Sequence, residues 1–356
     1  MAAIPTCRRC SPLLLVMFAA LFTVTAPATP AARAESAAEV AVLQGPDRLN
    51  RLVEGARKEG GLQLYSSAAI ENMKEILAGF ERQYGLKVRV WKGSASDIRH
   101  RALTEFSASR FDVDVIETAG PELEAMQREH LLQRVVSPTL DDLIPGAIPP
   151  HREWIVSRMS VIIAAYNTNL IAKAQMPASY DDLTDPQWKG KLAIESGDSN
   201  VWLMGVAAAR GEQNTIELFQ KIVASNGVSL RRGHVALANL VAAGEVPLAL
   251  TAYRNNADQL ADAGAPVQTK VLPPLLALPS GIGVARRASH PYSAVLFWEY
   301  YLTEGQKVLV AQRNVPTNRR VKEPAPGLTF INASQLLDDG DKWHKLFQDI
   351  FVTRTR

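Results

Sequence analysis

Cysteine is nearly missing from this chain. Its 356 residues hold two, Cys7 and Cys10, and both fall within the first 34 positions. The remainder therefore has no disulfide framework, no thiolate-ligated zinc and no cysteine nucleophile. Long apolar runs are also scarce. Leu13 to Val24 is too short for a lasting membrane span, and no later segment reaches the roughly 18 apolar residues one needs. Acidic residues are absent from positions 1–34, which carry Arg8, Arg9 and Arg33. Those three account for the whole excess of 39 Lys+Arg over 36 Asp+Glu, the formal charge of +3. Basic residues form no stripe elsewhere, which argues against a nucleic-acid partner. At 47% hydrophobic and 21% charged, the chain is neither disordered nor a multi-span membrane protein.

The N-terminal features combine into one reading. Arg8-Arg9, the apolar run and the small-residue site Ala32-Arg33-Ala34 predict a cleaved secretory signal over residues 1–34. The expected mature product is soluble, formally neutral and periplasmic, without stable membrane insertion.

The mature chain alternates strand and helix patterns. Residues 35–60 read as an opening helix ended by Gly60-Gly61. Leu62 to Tyr65 read as a strand, and Met73, Ile76, Leu77, Phe80 and Tyr84 recur at helical spacing. Leu86, Val88 and Val90 alternate as the next strand, which completes a βαβ unit of a parallel sheet. Further strands are expected at Val113–Thr118, Val161–Tyr166, Leu192–Ile194, Val246–Leu250 and Gly281–Val284. Ligands of such sheets bind beyond the carboxyl ends of the strands. The loops there hold Ser66-Ser67, Ser94, Thr118-Ala119, Asp198-Ser199 and Tyr253-Arg254. Hydroxyls and free backbone N–H groups at helix starts suit an anion, although each serine could equally serve as a helix cap. Arg254 could grip a carboxylate or phosphonate, or pair with Asp258 four residues on. Tyr253 could stack on or hydrogen-bond a ligand, or close a half-buried strand end.

Enzyme motifs are lacking. The six histidines show no zinc spacing, Gly93-Ser94-Ala95-Ser96-Asp97 is not a nucleophile elbow, and Gly281-Ile282-Gly283 alone is no dinucleotide fingerprint. A binding protein without a cofactor or resident metal is expected.

Several segments carry a resemblance: Leu64-Tyr65-Ser66-Ser67, Lys92-Gly93-Ser94, Phe111-Asp112-Val113-Asp114-Val115, Ala165-Tyr166-Asn167-Thr168-Asn169, Asp185-Pro186-Gln187-Trp188-Lys189-Gly190-Lys191, Ala243-Gly244-Glu245-Val246 and Gly281-Ile282-Gly283-Val284. Between about Leu62 and Asn318 the chain resembles the periplasmic solute-binding proteins of ABC importers, in the cluster that includes ferric-iron-binding proteins. The resemblance implies the type 2 two-lobed α/β fold. Each lobe is a doubly wound, mostly parallel sheet, a hinge joins them, and the ligand is clamped in the cleft. It also implies permease subunits as partners, and a monomer. Lobe 1 is expected over 35–158, lobe 2 over 159–270, and a return to lobe 1 with C-terminal helices over 271–356.

The ligand expectation departs from the ferric members, which the resemblance associates with adjacent tyrosines at the last strand-to-helix turn. Here that turn reads Ala252-Tyr253-Arg254-Asn255-Asn256, Ala68-Ala69 stand where a histidine is common, and Glu117 sits slightly early. An arginine beside a trivalent cation is repulsive. The expectation is a small anionic or zwitterionic organic solute or an oxyanion, with ferric iron, direct or anion-assisted, as the alternative. A secreted enzyme or a ligand-sensing partner of a membrane receptor is the alternative of another class.

Overall fold

A computed structural model of the protein describes residues 35–353 except Phe111 and Pro324. The signal-peptide reading of residues 1–34 lies outside the described residues. Among those described, no helix is long and apolar enough to cross a membrane.

The first lobe opens with α1 (Ala37–Ala41) and α2 (Arg48–Glu59). It continues through β1 (Gly61–Ser66), α3 (Ile70–Tyr84), β2 (Lys87–Lys92), α4 (Ala95–Ser107), β3 (Val115–Ala119), α5 (Gly120–Arg128) and β4 (Leu132–Gln133). The long strand β5 (Trp154–Asn167) then crosses into the second lobe. That lobe holds β6 (Leu192–Glu195), α6 (Ser199–Arg210), α7 (Glu212–Asn226), β7 (Ser229–Arg231), α8 (His234–Ala242), β8 (Leu248–Tyr253), α9 (Arg254–Asp262) and β9 (Val267–Lys270). β10 (Leu275–Ala285) crosses back, and α10 (Pro291–Leu302), α11 (Glu304–Ala311), β11 (Val315–Pro316), β12 (Leu328–Phe330) and α12 (Ala333–Phe347) follow. The opening helix expected over 35–60 is two helices, because Gly45, at φ +100°, and Pro46 break it.

The strands form one continuous sheet in the order β2-β1-β3-β10-β5-β8-β6-β7. β2, β1 and β3 run parallel, as do β8, β6 and β7. The two crossover strands are antiparallel to each other and to their neighbours β3 and β8. At about 3.3 Å per residue, the 14 residues of β5 extend roughly 45 Å, enough to serve both lobes. Pairing between β5 and β10 slips between Ser280 and Gly281. Gly281 is there for space: a Cβ would stand 2.7 Å from the Ile155 carbonyl oxygen and from the Trp154 ring.

Each lobe has its own core. In the first, the expected helical stripe of α3 buries Met73, Ile76 and Phe80 against Phe297 and Tyr301 of α10. In the second, Tyr180, Trp188, Trp202 and Phe219 are buried together. Trp202 donates its indole N–H to the Tyr180 hydroxyl at 2.9 Å, so it is a core residue. The C-terminal helix α12 sinks Trp343 and Phe347 into this second core. Its first turns meanwhile meet α5 of the first lobe, where Arg128 bonds Ser334 at 2.6 Å and Asp338 at 3.0 Å.

Candidate functional site

The second-lobe side of the cleft is organised by a carboxylate that faces inward. Glu195, at the end of β6, is 3% exposed. One oxygen accepts the backbone N–H groups of Gly197 (2.6 Å) and Asp198 (2.9 Å), and the other accepts that of Gly233 (2.8 Å). Three backbone amides thus converge on it, and Glu195 ties the loops after β6 and β7 together. Ser199 is also buried, with its hydroxyl 3.0 Å from that of Thr251, which in turn accepts the Glu195 N–H at 2.8 Å.

This frame brings three side chains from three strand ends to one point. His234 Nε2 lies 2.7 Å from Asp198 Oδ1, and the Tyr253 hydroxyl donates to Asp198 Oδ2 at 2.7 Å. The rings of His234 and Tyr253 are stacked. His234 Nδ1 lies 3.0 Å from the Thr251 carbonyl oxygen. A carbonyl only accepts, so Nδ1 carries a proton and Nε2 is the nitrogen turned to the site. A histidine that donates one N–H to a backbone carbonyl is held as metal-ligating histidines commonly are. Ligand atoms of Glu195, Asp198 and His234 all lie within 4.8 Å of one another. Glu195 already accepts three backbone N–H groups, so Asp198, His234 and Tyr253 are the less committed donors of the cluster.

Their electrostatics are linked. Burial alone raises the Asp198 carboxyl, but the hydrogen bonds and charge of His234, with the Tyr253 hydroxyl, hold it below the usual carboxylate range. Burial pushes the Tyr253 phenol well up, and the Asp198 charge adds to that. The nearby cation Arg158 opposes the rise.

The first-lobe side is made of hydroxyls around a second buried carboxylate. Glu117, on β3, is fully buried. It accepts the Ser66 hydroxyl at 2.6 Å and Arg158 Nε, from the crossover strand, at 3.1 Å. Ser67 and Thr118 are joined, with the Thr118 hydroxyl 3.1 Å from that of Ser67. Ala119 precedes α5 and stands opposite Ser280 of β10. Ser94 closes a capping box at the start of α4, where its hydroxyl donates to Asp97 at 2.6 Å. Arg254 opens α9, and its Nε is buried without a hydrogen-bond partner among the described residues. Asp258 feels the charge of Arg254. No ion pair within 4.0 Å joins the two among the described residues, so the surface-pair alternative for Arg254 is not what the side chains adopt.

Apart from Arg254 at the start of α9, the positions expected from the strand ends fall into three groups. Asp198 and Tyr253 meet at one point. Ser66, Ser67, Thr118 and Ala119 gather on the other lobe. Ser94 and Ser199 spend their hydroxyls on local structure. His234 was not anticipated from the sequence, because β7 has only three residues, all half-buried, and shows no alternation. A glycine before a histidine at a helix start, Gly233-His234, is the signal that was there to be read.

A family model described as a bacterial extracellular solute-binding protein matches residues 118–328. The chain is 26% identical over 305 residues to iron uptake protein A1 of Synechocystis sp., covering 78% of this chain and 82% of that protein. It is 26% identical over 216 residues to the Fe(3+)-binding periplasmic protein of Serratia marcescens, covering 60% and 63% respectively. Among solved structures, the Trichodesmium protein IdiA (FutA), in complex with iron and citrate ligands, superposes with a TM-score of 0.68 at 22% identity. That match covers 82% of this chain and 99% of the other. The fold is the two-lobed one of periplasmic binding proteins, and the relatives are solute-binding proteins, not enzymes. The chain belongs to the bacterial extracellular solute-binding proteins and is a periplasmic solute-binding subunit of an ABC importer.

Proposed function

We propose that the cargo is ferric iron, held by the Asp198 carboxylate, the Tyr253 phenolate and the His234 imidazole, with an accompanying anion completing its coordination. This replaces the organic anion favoured from the sequence, which rested on a single tyrosine and Arg254. The observation that carries the reading is the convergence of Tyr253 and His234 on Asp198, each within 2.7 Å. Two anionic oxygens and an imidazole suit a hard, strongly acidic cation. The raised phenol adds selectivity, since a weakly acidic divalent ion competes poorly for an oxygen that holds its proton so firmly. Iron-related names among the relatives support the same choice. The Ser67 and Thr118 hydroxyls and the Arg158 guanidinium would receive the anion from the opposite lobe. We further take the lobes to divide as residues 35–158 and 159–270, with 271–356 returning to lobe 1 and sending α12 across to lobe 2, and the subunit to act as a monomer.

The test is titration of the mature protein with ferric nitrilotriacetate. A visible tyrosinate-to-iron absorption and a rise in melting temperature support the proposal. A colourless protein that ferric nitrilotriacetate does not stabilise rejects it. A second reading, a carboxylate or phosphonate solute without iron, is favoured by the unpartnered Arg254 Nε. Stabilisation by such compounds in iron-free buffer would select it.

A further inference from the structure

One turn in the first lobe is costly in two ways. α11 ends at Ala311, and Arg313 follows in the left-handed region at φ +63°. The Asn314 N–H returns to the Leu309 carbonyl at 2.9 Å, so Arg313 occupies a helix-ending position where glycine is normal. An L-residue with a bulky side chain is disfavoured there by about 1 kcal/mol or more. Its neighbour Gln312 has a buried Oε1 without a hydrogen-bond partner among the described residues. Strain and unmet polar groups persist where the surrounding structure uses them.

Both residues reach out of their own helix. Arg313 Nε donates to Asp262 Oδ2 at 2.8 Å, at the last residue of α9. Gln259, also on α9, donates to the Gln312 carbonyl at 3.1 Å. Gln312 Nε2 donates in the other direction, to the Asn72 carbonyl in the first turn of α3, at 3.0 Å. α9 begins directly after Tyr253, and α3 begins just beyond the Ser66–Ser67 loop. A single strained turn therefore joins the two helices that start at opposite sides of the cleft.

We propose that the Gln312–Arg313 turn is a positioning clasp between the lobes, which sets how far the cleft opens and so how long a ligand stays. The inference rests on the cleft as the ligand site, and on the ferric reading only for the probe. Arg313 and Asp262 are each about half exposed, so the clasp weakens with salt and contributes modestly.

The absence of cysteine from the mature chain gives a clean measurement. Spin labels at Arg57→Cys on α2 and Lys221→Cys on α7, both exposed positions in different lobes, report the interlobe distance without any ligand. Arg313→Ala should broaden or lengthen that distance, and the swap Arg313→Asp with Asp262→Arg should restore it. Loaded with ferric nitrilotriacetate, Arg313→Ala should release iron about two- to fivefold faster, the range an exposed pair supports. Arg313→Gly should speed release while holding or raising the melting temperature, because glycine removes the strain along with the pair. An unchanged distance in Arg313→Ala overturns the proposal, as does a swap that fails to restore it while the protein melts normally. If ferric nitrilotriacetate does not bind, the ligand-free distances still decide the clasp.

Discussion

The imidazole of His234 lies flat against the phenol ring of Tyr253, with centroids 3.5 Å apart and planes inclined by 13°. The stack aligns Nε2 and the phenol oxygen on the two oxygens of one carboxylate, that of Asp198. The three donors are thus positioned by one another before any cargo arrives, which lowers the cost of ordering them on binding.

Removing either donor atom should expose this dependence. Tyr253→Phe should abolish the visible iron band and weaken ferric binding by more than the roughly 10- to 100-fold typical of losing an outer-shell partner. His234→Gln should retain the band with weaker affinity. Circular dichroism should show both variants folded, because Phe keeps the ring that Tyr253 packs against the edge of the cluster around Trp202, and His234 lies outside that cluster. A Tyr253→Phe protein that keeps its colour would place the iron elsewhere.

Binding should expel protons. The raised Tyr253 phenol is protonated at neutral pH, so a ferric ion must displace at least one proton. Affinity should improve about tenfold per pH unit for each proton released. Calorimetry in buffers of different ionisation enthalpy counts them. Asp198 acts at the opposite end of the scale. Its depressed carboxyl contributes folding stability above the ordinary carboxylate range, and that stability is lost as pH falls through the folded value. Asp198→Asn should flatten this acid limb of the melting curve.

Arg254→Ala separates the two cargo readings. For an organic anion it removes the strongest attraction in the second lobe, and affinity falls. For ferric iron it removes a repulsive charge, and affinity for ferric nitrilotriacetate holds or rises. Melting temperature should change little, since Arg254 forms no ion pair within 4.0 Å among the described residues. Calorimetric titration of the same variant with both ligand types gives the answer.

Arg158→Ala should destabilise the protein by about 3–5 kcal/mol, because it leaves the fully buried Glu117 charge without its partner. Urea unfolding measures this, and adding Glu117→Gln should recover part of the loss. Additive losses in the double variant would mean that the pair is not coupled.

Much of the fold was legible in the sequence because strand and helix periods stand out wherever one face is buried. Met73, Ile76 and Phe80 mark α3, and Gly85 marks its end. The loop positions at the strand ends followed from that rhythm. What one sequence could not display was tertiary convergence. Glu195 stands just past the expected strand Leu192–Ile194, and only the fold shows it gathering amides from two loops. His234 follows a strand too short to show a period. Arg254 and Asp258 have the right spacing for a helical pair, yet among the described residues no ion pair within 4.0 Å joins them. Spacing allows a contact, and packing decides whether it forms.

The unbroken sheet has a consequence for how the cleft can move. β5 and β10 are hydrogen-bonded to each other along most of the hinge, and each continues into ladders on both sides. The lobes cannot slide past one another without breaking a backbone ladder, so the low-energy travel is a twist of one two-stranded ribbon. The stiffness of that ribbon comes from peptide groups common to any sequence. Cargo preference can therefore be rewritten at the loops while the mechanical stroke offered to the importer stays the same.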